Sequence, residues 1–179
     1  MSQIETLYQG KYIRVVRSGR WEFVKRNNVC GIVGIVAVTD ARELILVEQF
    51  RVPVDAHLIE LPAGLAGDLA GAPVEDLAIA AKRELLEETG YVAREWAFGF
   101  TMYPTVAYSD EAIQIWFARG LEHRGAQLDE GEFLDVITAT PEEFLGWCRD
   151  GKVVDSKTLA SAIWIQNVLA GTWKLDWQP

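Results

Sequence analysis

The sequence predicts a single mixed α/β domain over residues 1–179, on three observations. Half of the 179 residues are hydrophobic, enough for one substantial core and too few for two ordinary enzyme domains. Two runs rich in β-branched residues, Gly31–Val38 and Glu43–Phe50, are too apolar for a strand with one wet face and suit buried central strands. Three later segments read as helices that each stop before a glycine: 75–89 on its helix formers, and 141–150 and 156–170 on the cap residues that open them.

Each element follows from local pattern. Tyr12, Arg14 and Val16 alternate with Ile13 and Val15, and Trp21 and Phe23 with Glu22 and Val24, which predicts a hairpin across Ser18-Gly19. The turn residues Asp40-Ala41-Arg42 join the two apolar runs. Residues 75–89 precede Gly90, a residue suited to the left-handed position that ends a helix. Segments 96–102, 112–118 and 133–138 read as strands bounded by Gly, Pro or charged residues. Thr140 before Pro141 and two glutamates is an N-cap signature, and Asp155 or Ser156 opens the last helix. No repeat, low-complexity tract or linker divides the chain.

Composition excludes several classes of function. With 26 acidic against 17 basic residues the formal charge is −9, opposite to what a nucleic-acid partner requires. A phosphate-bearing ligand would need metal ions to mediate. Cys30 and Cys148 form no CxxC pair, so neither a zinc knuckle nor a disulfide framework is expected, and both read as buried thiols. The N-terminus lacks an apolar stretch with a cleavage site, and no 18 apolar residues run together. The expectation is a cytoplasmic protein with no membrane partner.

The informative segment is Arg83-Glu84-Leu85-Leu86-Glu87-Glu88-Thr89-Gly90. Glu84, Glu87 and Glu88 share one helix face through i, i+3 and i+4 spacing. They also crowd the negative end of the helix, where each carboxylate is disfavoured by roughly 0.3–1 kcal/mol. An arbitrary cluster of this kind is most often a solvated helix end. Here apolar residues on several other faces imply that neighbouring elements cover the helix, so the carboxylates point into a cleft. Closely spaced carboxylates suit a hard cation such as Mg²⁺, which retains waters and binds substrate phosphates. A second acidic group, Asp129-Glu130-Gly131-Glu132, precedes the last predicted strand.

These residues resemble the Nudix hydrolases, whose pattern is G-x5-E-x7-R-E-U-x-E-E-x-G-U, with U apolar. Glu75, seven residues, and then Arg83-Glu84-Leu85-Leu86-Glu87-Glu88-Thr89-Gly90-Tyr91 match its second part. At the front, Gly64 precedes Glu75 by ten residues instead of five, so segment 65–74 reads as a loop insertion within a box at 64–91. Val47–Arg51, Ile59–Gly64, Tyr103-Pro104 and Ser109–Glu111 further resemble the subgroup acting on ADP-ribose and other nucleoside diphosphate sugars. Where ADP-ribose-specific relatives carry a proline after the box, this chain has Val106, with Pro104 nearby, which points towards another sugar.

The resemblance implies an α/β/α sandwich with a mixed sheet, plus N-terminal antiparallel strands in residues 1–28 that form a homodimer. It implies Mg²⁺, with Mn²⁺ as substitute, held by Glu84, Glu88, the Ala63 carbonyl and Glu132. Glu130 would be the candidate base, with Glu132 or a box glutamate as alternatives, Glu87 would assist, and Arg83 would pair with Glu75 to hold the helix face. Arg51, Glu60 and Glu111 would bind substrate. The expected reaction is hydrolysis of the pyrophosphate bond, giving nucleoside monophosphate and sugar phosphate.

Other readings are a noncatalytic ligand sensor of the same fold, or an enzyme acting on another nucleoside diphosphate-X. Relatives that became sensors generally lose box glutamates, and this chain keeps them. A structural Ca²⁺ site would use a D-x-D-x-D-G loop, which is absent. RNA decapping is opposed by the missing basic stripe. His57 and His123 lack ligand spacing and read as surface residues, while Trp147, Trp164, Trp173 and Trp177 read as packing groups.

Overall fold

The computed structural model describes residues 4–67, 74–126 and 133–179. Three N-terminal strands, β1 (Ile4–Gln9), β2 (Ile13–Ser18) and β3 (Trp21–Arg26), form an antiparallel sheet of their own. The β2–β3 hairpin turns at Gly19, whose φ of 60° favours glycine. β1 goes beyond the expected hairpin; all of its residues are exposed, so no buried alternation marks it in the sequence.

The second sheet has the order β10-β5-β4-β9-β8, with two short strands attached. Its members are β4 (Gly31–Val38), β5 (Leu44–Arg51), β6 (Ala56–Glu60), β7 (Ala63–Ala66), β8 (Tyr91–Met102), β9 (Ile113–His123) and β10 (Leu134–Ala139). β4 runs parallel to β9 while the remaining pairs are antiparallel, so the sheet is mixed as expected. The apolar character of β4 follows from burial on both faces. Ile32, Val36 and Val38 enter one core cluster with Phe144 and Ile165, whereas Val33, Ile35 and Ala37 enter another with Ala80, Ala81 and Leu85.

Among the described residues three α-helices complete the two outer layers: α1 (Leu77–Thr89), α2 (Pro141–Arg149) and α3 (Ser156–Leu169). Their ends follow local chemistry. Asp76 caps α1 by accepting from the Ala78 N–H at 2.8 Å, and Gly90 closes it with φ 75°. α1 begins two residues later than expected because Asp76 is extended, with ψ 135°, and caps the helix instead of joining it. Thr140 and Glu143 form a capping box on α2, and Asp155 caps α3. One face of α1 stays open, contrary to the expected covering: Ile79 is 60% exposed.

Along the sheet, β4 and β5 pair only at Ala37–Ile45 and Val38–Leu44. Beyond that point they part, β7 pairing with β4 and β6 with β5. The residues lining the cavity described below come from these four strands and from the elements facing them. The N-terminal sheet docks nearby, through a Val24 N–H bond to the Tyr108 carbonyl at 2.8 Å and an Arg26–Glu111 ion pair at 2.7 Å.

Two smaller expectations need comment. Cys30 is exposed rather than buried, because it lies in the segment before β4, and Cys148 is half-buried. The tryptophans do pack: Trp164 stacks on Phe100 at 4.9 Å and meets Trp173 edge-on at 4.8 Å. No helix among the described residues is long and apolar enough to cross a membrane.

Candidate active site

The end of α1 turns its carboxylates inward. Glu84 and Glu88 are 8% and 4% exposed, burial that a solvated helix end would not show. Arg83 offsets the crowding. Its Nε and Nη2 both donate to Glu75 at 3.1 Å, and Nη1 donates to Glu84 at 2.8 Å and to Glu87 at 2.7 Å. Burial works against the Arg83 charge, yet its bond to Glu75 and the charges of Glu84 and Glu87 more than offset this and hold the guanidinium protonated. The same Arg83 hydrogen bond holds the Glu75 carboxyl below the usual carboxylate range.

The backbone of β7 receives this helix end. The Ala63 N–H donates to Glu88 Oε2 at 3.0 Å. Gly64 lies so close to Glu84 that a Cβ there would stand 1.9 Å from the carboxyl carbon. Leu65 and Ala66, the first residues of the inserted segment, extend β7. The Gly67 N–H then donates to Glu75 Oε2 at 3.0 Å, and Arg83 Nη2 donates to the Leu65 carbonyl at 2.8 Å, which ties the flanks of the insertion to the helix.

Glu84 and Glu88 line a cavity of about 490 Å³ together with a wall that carries basic groups. Arg51 donates from Nε and Nη2 to the two oxygens of Glu60 at 2.6 and 2.7 Å. Lys157 also bonds Glu60, and it reaches Asp155 at 3.1 Å. Burial alone would raise the Glu60 pKa, but the bonds and charges of Arg51 and Lys157 outweigh it and hold this carboxyl below its ordinary range. Arg26 and its partner Glu111 line the same cavity.

The fold thus brings Ala63, Glu84, Glu88, Arg51, Glu60 and Glu111 to one cavity. Arg83 braces the acidic face, and its expected pairing with Glu75 is present. Glu87 is bonded to Arg83 and is not part of the cavity lining. Glu130 and Glu132 lie outside the described residues, as does most of the 65–74 insertion. Sequence reasoning missed Arg26, Asp155 and Lys157. Asp155 was visible only as a helix cap, and nothing local marks Lys157, whose partner Glu60 is 97 residues away.

Among the described residues no cluster of three or more His, Cys, Asp or Glu is arranged around a common metal position. Those residues do supply two buried carboxylates beside the backbone of β7, with Gly64 leaving room for one of them. Such oxygen donors fit a hard cation such as Mg²⁺ or Mn²⁺ better than a soft one.

A family model described as the NUDIX domain matches residues 31–161. The chain is 36% identical over 140 residues to a methanol dehydrogenase activator of Bacillus methanolicus, covering 76% of this chain and 72% of that protein. It is 32% identical over 170 residues to an ADP-ribose pyrophosphatase of Bacillus subtilis (strain 168), covering 90% and 89%. A crystal structure of an ADP compounds hydrolase superposes with a TM-score of 0.77 at 20% identity, over 94% of this chain and 92% of that one, a likeness of fold.

Proposed function

The chain belongs to the NUDIX family as a hydrolase, and on that premise we propose that it cleaves the pyrophosphate bond of ADP-ribose or another nucleoside diphosphate sugar. The observation that carries this reading is one cavity lined both by the buried Glu84 and Glu88 and by Arg51. The similarity to an ADP-ribose pyrophosphatase supports it.

In this reading Glu84, Glu88, the Ala63 carbonyl and Glu132 hold Mg²⁺, or Mn²⁺ in its place. The bound cation supplies charge neutralisation for the phosphates and a more acidic attacking water. Arg51 contributes orientation: Glu60 occupies its Nε and Nη2, which leaves the Nη1 hydrogens for a phosphate oxygen. Glu60 and Glu111 help to shape that wall. Arg83 fixes the acidic face, and Glu87 assists by sharing its guanidinium. Glu130 accepts the proton as the water oxygen attacks phosphorus and the bridging P–O bond breaks. The products are nucleoside monophosphate and sugar phosphate.

The test is product analysis with Mg²⁺ and a panel of ADP-ribose, GDP-mannose, UDP-glucose, diadenosine polyphosphates and NADH. Cleavage confined to a diphosphate sugar is the expected result. Binding without cleavage of any compound overturns it in favour of a ligand sensor. The match to a methanol dehydrogenase activator favours a second reading, in which the site serves a dehydrogenase. A dehydrogenase assay with and without the chain tests that reading.

Residues 1–28 are proposed as the dimerisation segment of a single catalytic unit working in the cytoplasm. Ile4, Tyr8, Tyr12 and Trp21 of this segment are 55%, 62%, 68% and 56% exposed, an apolar load suited to a second copy of the chain. Sedimentation equilibrium is expected to give twice the 20.0 kDa chain mass, and Trp21→Glu to shift it towards the monomer. A monomeric wild type rejects the assignment.

A further inference from the structure

Lys157 occupies a place that a lysine should avoid. It is the second residue of α3, where the helix end is positive, and it is only 6% exposed. Its stem lies beside β4, with Cδ 3.8 Å from where a Cβ on Gly34 would stand. A methionine would fill this space without burying a charge.

Its polar contacts explain the choice. The Arg51 fork already serves both oxygens of Glu60, so Lys157 is a second cation on a carboxylate that has its hydrogen bonds. Arg51 stands at the open cavity with a side chain 41% exposed, whereas the Lys157 side chain is 7% exposed. Of the two cations, Lys157 is therefore the fixed one. Asp155 secures it, and Asp155 also accepts from the Thr158 N–H and hydroxyl at 3.0 and 2.6 Å. The Thr158 hydroxyl in turn accepts from the Leu61 N–H at 2.9 Å, docking the first turn of α3 beside Glu60.

We propose that Lys157 is a positioning residue which, acting through Glu60, holds the Arg51 guanidinium in line for the substrate phosphates. This rests on the hydrolase reading above in taking a diphosphate as the ligand. It adds a residue from the far end of the chain to the machinery of the cavity.

The test is a double-mutant cycle over Arg51→Met and Lys157→Met. It reads the dissociation constant of a non-hydrolysable α,β-methylene analogue of ADP-ribose in Mg²⁺. Lys157→Met is expected to weaken binding about tenfold in the wild-type background and less than about twofold beside Arg51→Met. Equal losses in both backgrounds, or no loss in the wild type, overturn the proposal. Lys157→Arg keeps the charge and is expected to keep most of the affinity; a loss as large as that of Lys157→Met counts against it. Lys157→Gln replaces the methionine variant if that fails to fold.

A second measurement needs no ligand. The Arg51 Nε–H signal in ¹⁵N-edited NMR, identified by its loss in Arg51→Met, is expected to shift in Lys157→Met. An unchanged signal rejects the positioning role whatever the substrate. A wild type that neither binds nor cleaves any diphosphate sugar rejects the hydrolase reading, while the NMR result still decides the role of Lys157.

Discussion

Glu88→Gln is expected to lower kcat on the preferred diphosphate sugar by on the order of 10³-fold, because a cation held less firmly would neutralise less of the negative charge that develops on the phosphates, an effect typically worth several kcal/mol. The fold should survive the change. Glu88 accepts the Ala63 N–H at 3.0 Å, and a glutamine carbonyl oxygen can accept the same bond at the same length. The substitution therefore removes a charge without creating a cavity, and the Ala63 N–H keeps its acceptor. A Tm shift under about 3 °C is expected, the size of effect that 1 kcal/mol produces in a chain of this length. The half-saturating Mg²⁺ concentration should rise together with the loss of kcat. A loss of no more than a few-fold in turnover removes Glu88 from the metal set.

The contrast between Glu88 and its neighbours shows how much of this site the sequence could reveal. The i, i+3, i+4 spacing of Glu84, Glu87 and Glu88 fixes a common helix face, so the acidic patch was legible from helical geometry alone. The caps at Thr140 and Asp155 were legible for the same reason, since a cap is satisfied within a few residues, whereas Asp76 was read as part of the helix it caps. β4 and β5 announced themselves by burial on both faces. β6 and β7 did not, because Ala56–Glu60 and Ala63–Ala66 are short and carry little β propensity. They are strands because β4 and β5 part and leave edges to be paired. That parting depends on pairings that no local window contains, and it carries Glu60, Ala63 and Gly64 to the site. Lys157 is the extreme case: its sequence neighbours describe an ordinary helix start, and only the tertiary fold brings it to Glu60.

Gly64→Ala is expected to be the most damaging glycine-to-alanine change among the described residues, lowering turnover by at least about 100-fold and Tm by several degrees. The requirement for glycine here is space, since Gly64 is not among the residues of positive φ. An added Cβ would stand 1.9 Å from the Glu84 carboxyl carbon and 2.1 and 2.2 Å from its oxygens, far inside any allowed contact. Glu84 cannot yield freely, because its burial and the 2.8 Å bond from Arg83 hold it. The strand cannot yield freely either, because Gly64 is in register with Val33 of the buried strand β4. Overpacking of this kind costs about 1–3 kcal/mol. The collision also names its own remedy. In Gly64→Ala with Glu84→Ala the obstructing carboxylate is gone, so Tm is expected to recover most of the loss while turnover stays low. Thermal melts of the two single variants and the double variant read this coupling directly. If the two losses in Tm simply add, Gly64 is not the seat of Glu84, and the close approach of β7 to the acidic helix end has another purpose.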